Sequence, residues 1–129
     1  MATNGVAKFR EEYVLLDLLG DKWTLVVFSS LCDNGGRRRF NSIRRDIRDI
    51  SQKSLTQCLR RLERNGLVAR HVTHTAPPSV EYAFTELGLT ICGLVASLSA
   101  WTKQHGDAVR AAQAAYDAAA PADAVDAED

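Results

Sequence analysis

The sequence predicts a mainly helical domain with one small β-hairpin, and three observations support this. Apolar residues recur at helical spacing before residue 65 and again from 85 to 104, whereas they alternate over 67–84. A Pro-Pro pair interrupts that alternating segment and cannot continue a strand. A length of 129 residues favours a single modest core. We expect this domain over residues 1–106, followed by an acidic, Ala-rich tail over 107–129 that is partly helical or disordered.

Two helices are predicted at the start of the chain. Apolar positions spaced three or four apart predict the first over residues 8–19, and Gly20 ends it. Asp21 is a candidate N-cap for the second, which continues to about Cys32.

A turn rich in Gly follows at 33–36, and residues 37–39 suggest a short extended segment. The isoleucines of 40–50 fall on one seam of a third helix. Ser51 is a suitable N-cap for a fourth helix, which the Asn-Gly pair at 65–66 ends.

The alternating segments 67–72 and 80–84 predict the two strands of a hairpin whose tip lies around 74–79. A long apolar helix then covers about 85–104.

Charge is distributed unevenly, although the formal net charge is zero. Between Arg37 and Arg70 there are eleven Arg or Lys residues and three acidic ones, and from Asp107 onward there are six acidic residues and one Arg. Such a basic segment favours contact with a polyanion over a merely solvated surface with scattered ion pairs.

Two consecutive short helices followed by a hairpin predict a winged helix-turn-helix, in which the second helix lies in the DNA major groove. Gln pairs with adenine, and Arg or Lys with guanine. The predicted recognition residues are Ser51, Gln52, Lys53, Ser54, Thr56, Gln57, Arg60 and Arg61. The predicted contacts to the DNA backbone are Arg39, Arg44, Arg45, Arg48 and Arg64. The predicted wing contacts are Arg70, His71, His74, Thr75 and Ser79. A basic surface that docks a protein remains an alternative.

Four blocks carry a resemblance to a known family: LLGDKWTLVVFSSL, RRFNSIRRDIRDISQKSLTQCLRRLERNGLVAR, PPSVEYAFTELG and the helix around Trp101. In order and spacing, over about residues 13–105, they resemble the HxlR-type winged helix-turn-helix transcription regulators, relatives of the MarR family. The resemblance implies a bacterial or archaeal homodimer that binds an inverted repeat, with dimer helices at 8–19 and 86–104, recognition at 52–65 and the wing at 70–83. The implied dimer residues are Phe9, Tyr13, Leu16, Ile91, Leu94, Val95, Leu98 and Trp101.

We expect a repressor that a small-molecule effector or a thiol modification relieves or tunes. The alternative is a ligand- or redox-sensing dimer in which DNA binding is secondary. A ligand pocket would involve Trp23, Phe28, Tyr82 and Trp101. Some family members sense oxidants through a cysteine near the start of the first helix, and this chain departs from that pattern because it has Arg10 there. Cys32, which has Arg37–Arg39 nearby in the sequence to favour a thiolate, is the candidate redox residue.

Other classes find little support in the sequence. No catalytic triad, metal-ligand spacing or Gly-rich phosphate loop is present, so we expect neither an enzyme nor a cofactor or metal site. The N-terminus lacks the apolar region of a signal peptide, and no apolar run approaches the ~18 residues of a membrane span. These features, with three cysteines that lack a framework spacing, predict a cytoplasmic protein with no membrane partner.

Overall fold

The computed structural model describes residues 12–14 and 17–120. By contacts between residues the chain divides into two compact units, Met1–Val95 and Ala96–Asp129. The predicted positions Phe9 and Leu16 and the end of the tail, 121–129, lie outside the described residues.

The described part of the chain is mainly helical, as predicted. Helical residues at 12–14 and 17–19 precede the helices that we label α1 (Thr24–Asp33), α2 (Phe40–Asp46), α3 (Gln52–Arg64), α4 (Glu86–Leu89) and α5 (Ile91–Ala119). The strands are β1 (Arg37–Arg39), β2 (Val68–Thr73) and β3 (Ser79–Phe84).

The strands form an antiparallel sheet in the order β1-β3-β2. The hairpin of β2 and β3 was predicted. The extended segment at 37–39 adds a third strand to the sheet by pairing with β3. Tyr82 in the central strand lies opposite Arg38 on one side and Arg70 on the other. This register places arginines of both outer strands beside one buried tyrosine.

Local chemistry fixes both ends of α3. The Ser51 side chain accepts a hydrogen bond from the Ser54 backbone N–H at 3.0 Å, as an N-cap does. Gly66 has a φ of 77°, in the left-handed region that favours glycine, and the helix ends there. Leu55, Leu59 and Leu62 are fully buried, so α3 is held against the core by one seam.

The core lies within the first unit. Its buried side chains come from α1, α2, α3, the sheet and the loops that follow α2 and α3, with one residue from near the start of α5: Val27, Phe28, Leu31, Ile43, Ile47, Ile50, Leu55, Cys58, Leu59, Leu62, Leu67, Val68, Tyr82 and Val95.

Three predicted boundaries were wrong. The second predicted helix begins at Thr24, because the Asp21 side chain accepts from the Trp23 N–H at 2.9 Å and so forms a turn before the helix. The third ends at Asp46 instead of 50, although Ile47 and Ile50 remain buried in the loop that follows. The last is broken at Thr90 into α4 and α5 and continues to Ala119.

Candidate nucleic-acid interface

The outward face of α3 carries the residues predicted to contact bases. At 100° per residue, the direction opposite the leucine seam falls on Lys53, Gln57, Arg60 and Arg64. All four are exposed, as is Gln52 in the first turn of α3. This face therefore presents donors that the core does not use.

Some of the predicted residues already have partners within the chain. Ser51 caps the helix and donates its hydroxyl to the Ser54 hydroxyl at 3.0 Å. Arg61, on the flank of the exposed face, lies 3.5 Å from an Asp21 carboxylate oxygen, and Arg64 on that face lies 3.8 Å from one of Asp17. Exposed ion pairs of this length are worth under ~1 kcal/mol, so phosphate could displace either one.

A groove of about 930 Å³ separates α3 from the hairpin and the start of α2. Its charged lining consists of Arg39, Arg45, Arg60 and Arg70 against one acid, Glu63. The lining also includes Gln52 and Thr56 of α3, Asn41 and Ser42 of α2, and the hairpin tip from Thr75 to Val80. An excess of three positive charges favours an anionic occupant.

Sequence reasoning missed Asn41, Ser42 and Thr73 as lining residues. Asn41 and Ser42 lie in the first turn of α2, just beyond the basic strand β1, and that position was the only signal that could have found them. Thr73 lies opposite Ser79 in the hairpin register, which a sequence pattern does not fix.

The three consecutive arginines of β1 differ in their partners. Arg37 pairs with Glu81 across the sheet. Arg38 binds Asp46 through Nε at 3.0 Å and Nη2 at 2.8 Å, while Asp46 also accepts from the Ser30 hydroxyl at 2.7 Å. Arg39 is exposed on the groove.

The Asp46 carboxylate therefore joins α1, β1 and α2 at one point. The hydrogen bonds from Arg38 and then Ser30 hold the pKa of Asp46 below its usual value. This contact positions the start of the helix-turn-helix relative to the sheet.

The outer side of α2 exposes Arg44 and Arg45, and Arg48 is exposed in the loop that follows. The Arg45 guanidinium donates to the Ser42 hydroxyl at 3.1 Å. These three arginines come shortly before α3 in the sequence, and all three were predicted to contact the DNA backbone.

The hairpin tip is held together by its own side chains. The Thr73 hydroxyl lies 2.5 Å from that of Ser79, and Thr75 donates to the Pro77 carbonyl at 3.0 Å. The other predicted wing residues, Arg70, His71 and His74, are exposed. Ser79 and Thr75 thus shape the tip, whereas the other three are available to a ligand.

The four residues of the predicted ligand pocket have different surroundings. Phe28 and Tyr82 are buried in the core, and burial raises the pKa of the Tyr82 phenol. Trp23 packs against that core with the Lys22 ammonium 4.7 Å from its ring centre. Trp101 belongs to the other unit, where it is exposed and lies 5.1 Å from the His105 ring. Of the four, Tyr82 lines the groove.

The predicted dimer residues also differ in exposure. Tyr13, Leu94, Leu98 and Trp101 are between 41% and 60% exposed. Val95 is 6% exposed and belongs to the core, and Ile91 packs against it. Those last two residues therefore stabilise their own unit.

The expected activation of Cys32 is wrong. Burial and a hydrogen bond with Cys92 raise the pKa of Cys32 to about 12, so the neighbouring arginines of β1 do not produce a thiolate. Its sulfur lies 2.7 Å from that of Cys92. Cys58 is fully buried beside Thr24, and burial raises its pKa to about 11.

Across the described residues, no helix is long and apolar enough to cross a membrane. Over the same residues, no group of three or more His, Cys, Asp or Glu side chains is arranged to hold a metal ion.

Comparison with known proteins confirms the resemblance and the fold. Residues 18–110 match the family model described as HxlR-like helix-turn-helix. The HTH-type transcriptional regulator YybR of Bacillus subtilis (strain 168) is 41% identical over 92 residues, which cover 71% of this chain and 72% of YybR. The redox regulator HypR in its reduced form has a TM-score of 0.70 at 38% identity, covering 78% of this chain and 98% of HypR. Diamide-treated YodB from B. subtilis has a TM-score of 0.58 at 35% identity, covering 71% and 89%. The chain therefore belongs to the HxlR-like helix-turn-helix family of transcriptional regulators.

Proposed function

We propose that this regulator is a homodimeric repressor that binds an inverted repeat in double-stranded DNA. The observation that carries this proposal is the exposed basic and amide face of α3 beside a groove lined by four arginines. An anchored helix with a free polar face is the element that a helix-turn-helix protein inserts into the major groove.

In this proposal the recognition helix and its surroundings have separate roles. Gln52, Gln57 and Lys53 read base edges, since amide and ammonium groups discriminate the hydrogen-bonding patterns of the major groove. Arg45 and Arg48 neutralise phosphates, which fixes position and adds affinity without sequence preference. The hairpin contacts the adjoining backbone through its exposed basic side chains.

The dimer is proposed from exposed apolar surface. Leu94, Leu98 and Trp101 each expose 41% or more of their area on one helix, which a second copy of the chain would cover. A two-fold dimer places its recognition helices on half-sites about one helical turn, ~34 Å, apart. Repression would follow from occlusion of a promoter by such a dimer.

Salt dependence of binding to a mixed-sequence duplex tests the phosphate contacts. Log affinity should fall with log salt by ~0.9 for each phosphate neutralised, so Arg45→Ala and Arg48→Ala should each reduce the slope by about 1. Lys103→Ala is the matched control, because it removes an exposed positive charge from α5, outside the proposed interface. Equal effects of all three substitutions would show that the protein responds to overall charge, and the proposed interface would be wrong.

A second candidate function is redox sensing in which DNA binding is secondary. The proximity of Cys32 and Cys92 favours it, as does similarity to a protein named as a redox regulator. If the protein loses two hydrogen atoms per chain on oxidation but binds no DNA duplex, that result would support redox sensing over DNA-binding repression.

A further inference from the structure

Two cysteines that are 60 positions apart in the sequence lie side by side within the first unit. Cys32 is near the end of α1, and Cys92 is in the first turn of α5. The Cys32 thiol donates to the Cys92 sulfur across 2.7 Å, and both residues are half-buried. A disulfide bond is ~2.0 Å long, so the two sulfurs need to approach by only ~0.7 Å.

We propose that Cys32 and Cys92 form an intrachain disulfide on exposure to a hydroperoxide, and that this bond lowers the affinity of the protein for DNA. The effect on DNA rests on the proposed function, whereas bond formation does not. Cys58 does not compete for either sulfur, because it is fully buried and contacts Thr24.

The chemistry balances with one equivalent of hydroperoxide. One cysteine, as its thiolate, attacks the peroxide, the O–O bond breaks, and a sulfenic acid forms with release of water or an alcohol. The second thiol then attacks the sulfenic sulfur, the S–O bond breaks, and the sulfenic oxygen leaves as water while the S–S bond forms. The two sulfurs supply the two electrons that reduce the peroxide.

The bond would be formed close to a contact that positions the helix-turn-helix. Ser30, two residues before Cys32 on α1, donates to Asp46 of α2 at 2.7 Å. A covalent bond from the end of α1 to α5 would shift the part of α1 that binds Asp46. Because Asp46 belongs to α2, that helix and its arginines would move as well. We expect affinity for DNA to fall about tenfold, within the usual range for coupling between two sites.

The reaction should be slow at neutral pH, because the raised pKa of Cys32 leaves little thiolate. The reduced full-length protein is therefore treated with hydrogen peroxide until its mass stops changing. The expected product has lost two hydrogen atoms per chain, yields one peptide pair linked through Cys32 and Cys92, and returns to the starting mass with dithiothreitol. Cys32→Ser and Cys92→Ser should not lose two hydrogens, whereas Cys58→Ala should behave like the wild type. A cross-link between two chains, or stable oxygen addition at one sulfur, would overturn the proposed bond.

Affinity for a duplex pool is then measured for the same reduced and oxidised samples. The wild type should bind about tenfold more weakly when oxidised and recover with dithiothreitol, while both Ser variants stay unchanged. A disulfide that forms without altering affinity would overturn the switch. If the bond forms but neither sample binds any duplex, the proposed function fails while the cysteine chemistry stands.

Discussion

Gly88 occupies a position where no side chain fits, and its replacement by alanine should destabilise the first unit. A Cβ at this position would lie 2.8 Å from Cδ1 of Phe84 and 3.0 Å from the backbone carbon of Leu67, and still closer to the Leu67 carbonyl oxygen. The Leu67 atoms belong to the backbone, so they cannot change rotamer as the end of a flexible side chain can. Either α4 or the Leu67 peptide must move.

The magnitude follows from what that movement disrupts. The Leu67 carbonyl accepts from the Thr85 N–H at 3.1 Å, and losing such a bond costs ~0.5–1.5 kcal/mol. Overpacking against Phe84 adds ~1–3 kcal/mol. Alanine recovers up to ~1 kcal/mol because it favours the helix over glycine. Gly88→Ala should therefore lower the free energy of unfolding by about 2 kcal/mol.

Urea unfolding at one fixed protein concentration measures this difference, since self-association would otherwise alter the apparent stability. The matched control is Gly93→Ala in α5, where a Cβ would meet nothing within 4 Å. That substitution should raise stability by ~0.5–1 kcal/mol through helix propensity alone. If Gly88→Ala lies within ~0.5 kcal/mol of the wild type, a typical surface effect, the close approach to Leu67 is wrong.

Three further predictions concern the cap of α3, the Asp46 contact and the exposed face of α5. Ser51→Ala removes the N-cap of α3 and should cost about 1 kcal/mol in urea unfolding; no loss would mean that the cap is unimportant. Asp46→Asn should cost up to ~1 kcal/mol near neutral pH. Because Arg38 lowers the folded-state pKa of Asp46, that stabilisation is present above the unfolded pKa and disappears as pH falls through the folded one. A pH-independent difference between wild type and variant would therefore contradict the contact. Val95→Ala should lower unfolding free energy by ~2 kcal/mol, whereas Leu94→Ala should mainly weaken self-association in sedimentation; the opposite pattern would contradict the exposed face.

Local signals in the sequence were sufficient to predict α3 and the hairpin. Ser51 and Gly66 each act within a few residues of themselves, and the leucine seam repeats over a single helix. The change from helical to alternating period then indicated the strands. The family resemblance then combined these local predictions into one winged helix-turn-helix domain, and the match to the family model confirmed the resemblance.

What could not be predicted depends on contacts between distant residues. The helix breaks at Thr90, two residues after Gly88, which packs against the Leu67 backbone. Helical periodicity alone does not reveal such a close approach between two segments. The same holds for Asp46, which looks like a helix residue in the sequence but binds two other elements. The environment of Cys32 was wrongly inferred, because nearness to arginines in the sequence did not indicate its burial beside Cys92.

The central claim is that the exposed face of α3 reads sequence, and selection of bound duplexes from a random pool tests it most directly. The purified reduced protein should enrich an inverted repeat whose half-site centres lie about one helical turn apart. In a parallel selection, Gln57→Ala should alter the preferred base at one position in each half-site while keeping the spacing. Retention of DNA that is lost with salt, with no sequence enriched by the wild type, would contradict the account, because this face would then hold phosphates without reading bases.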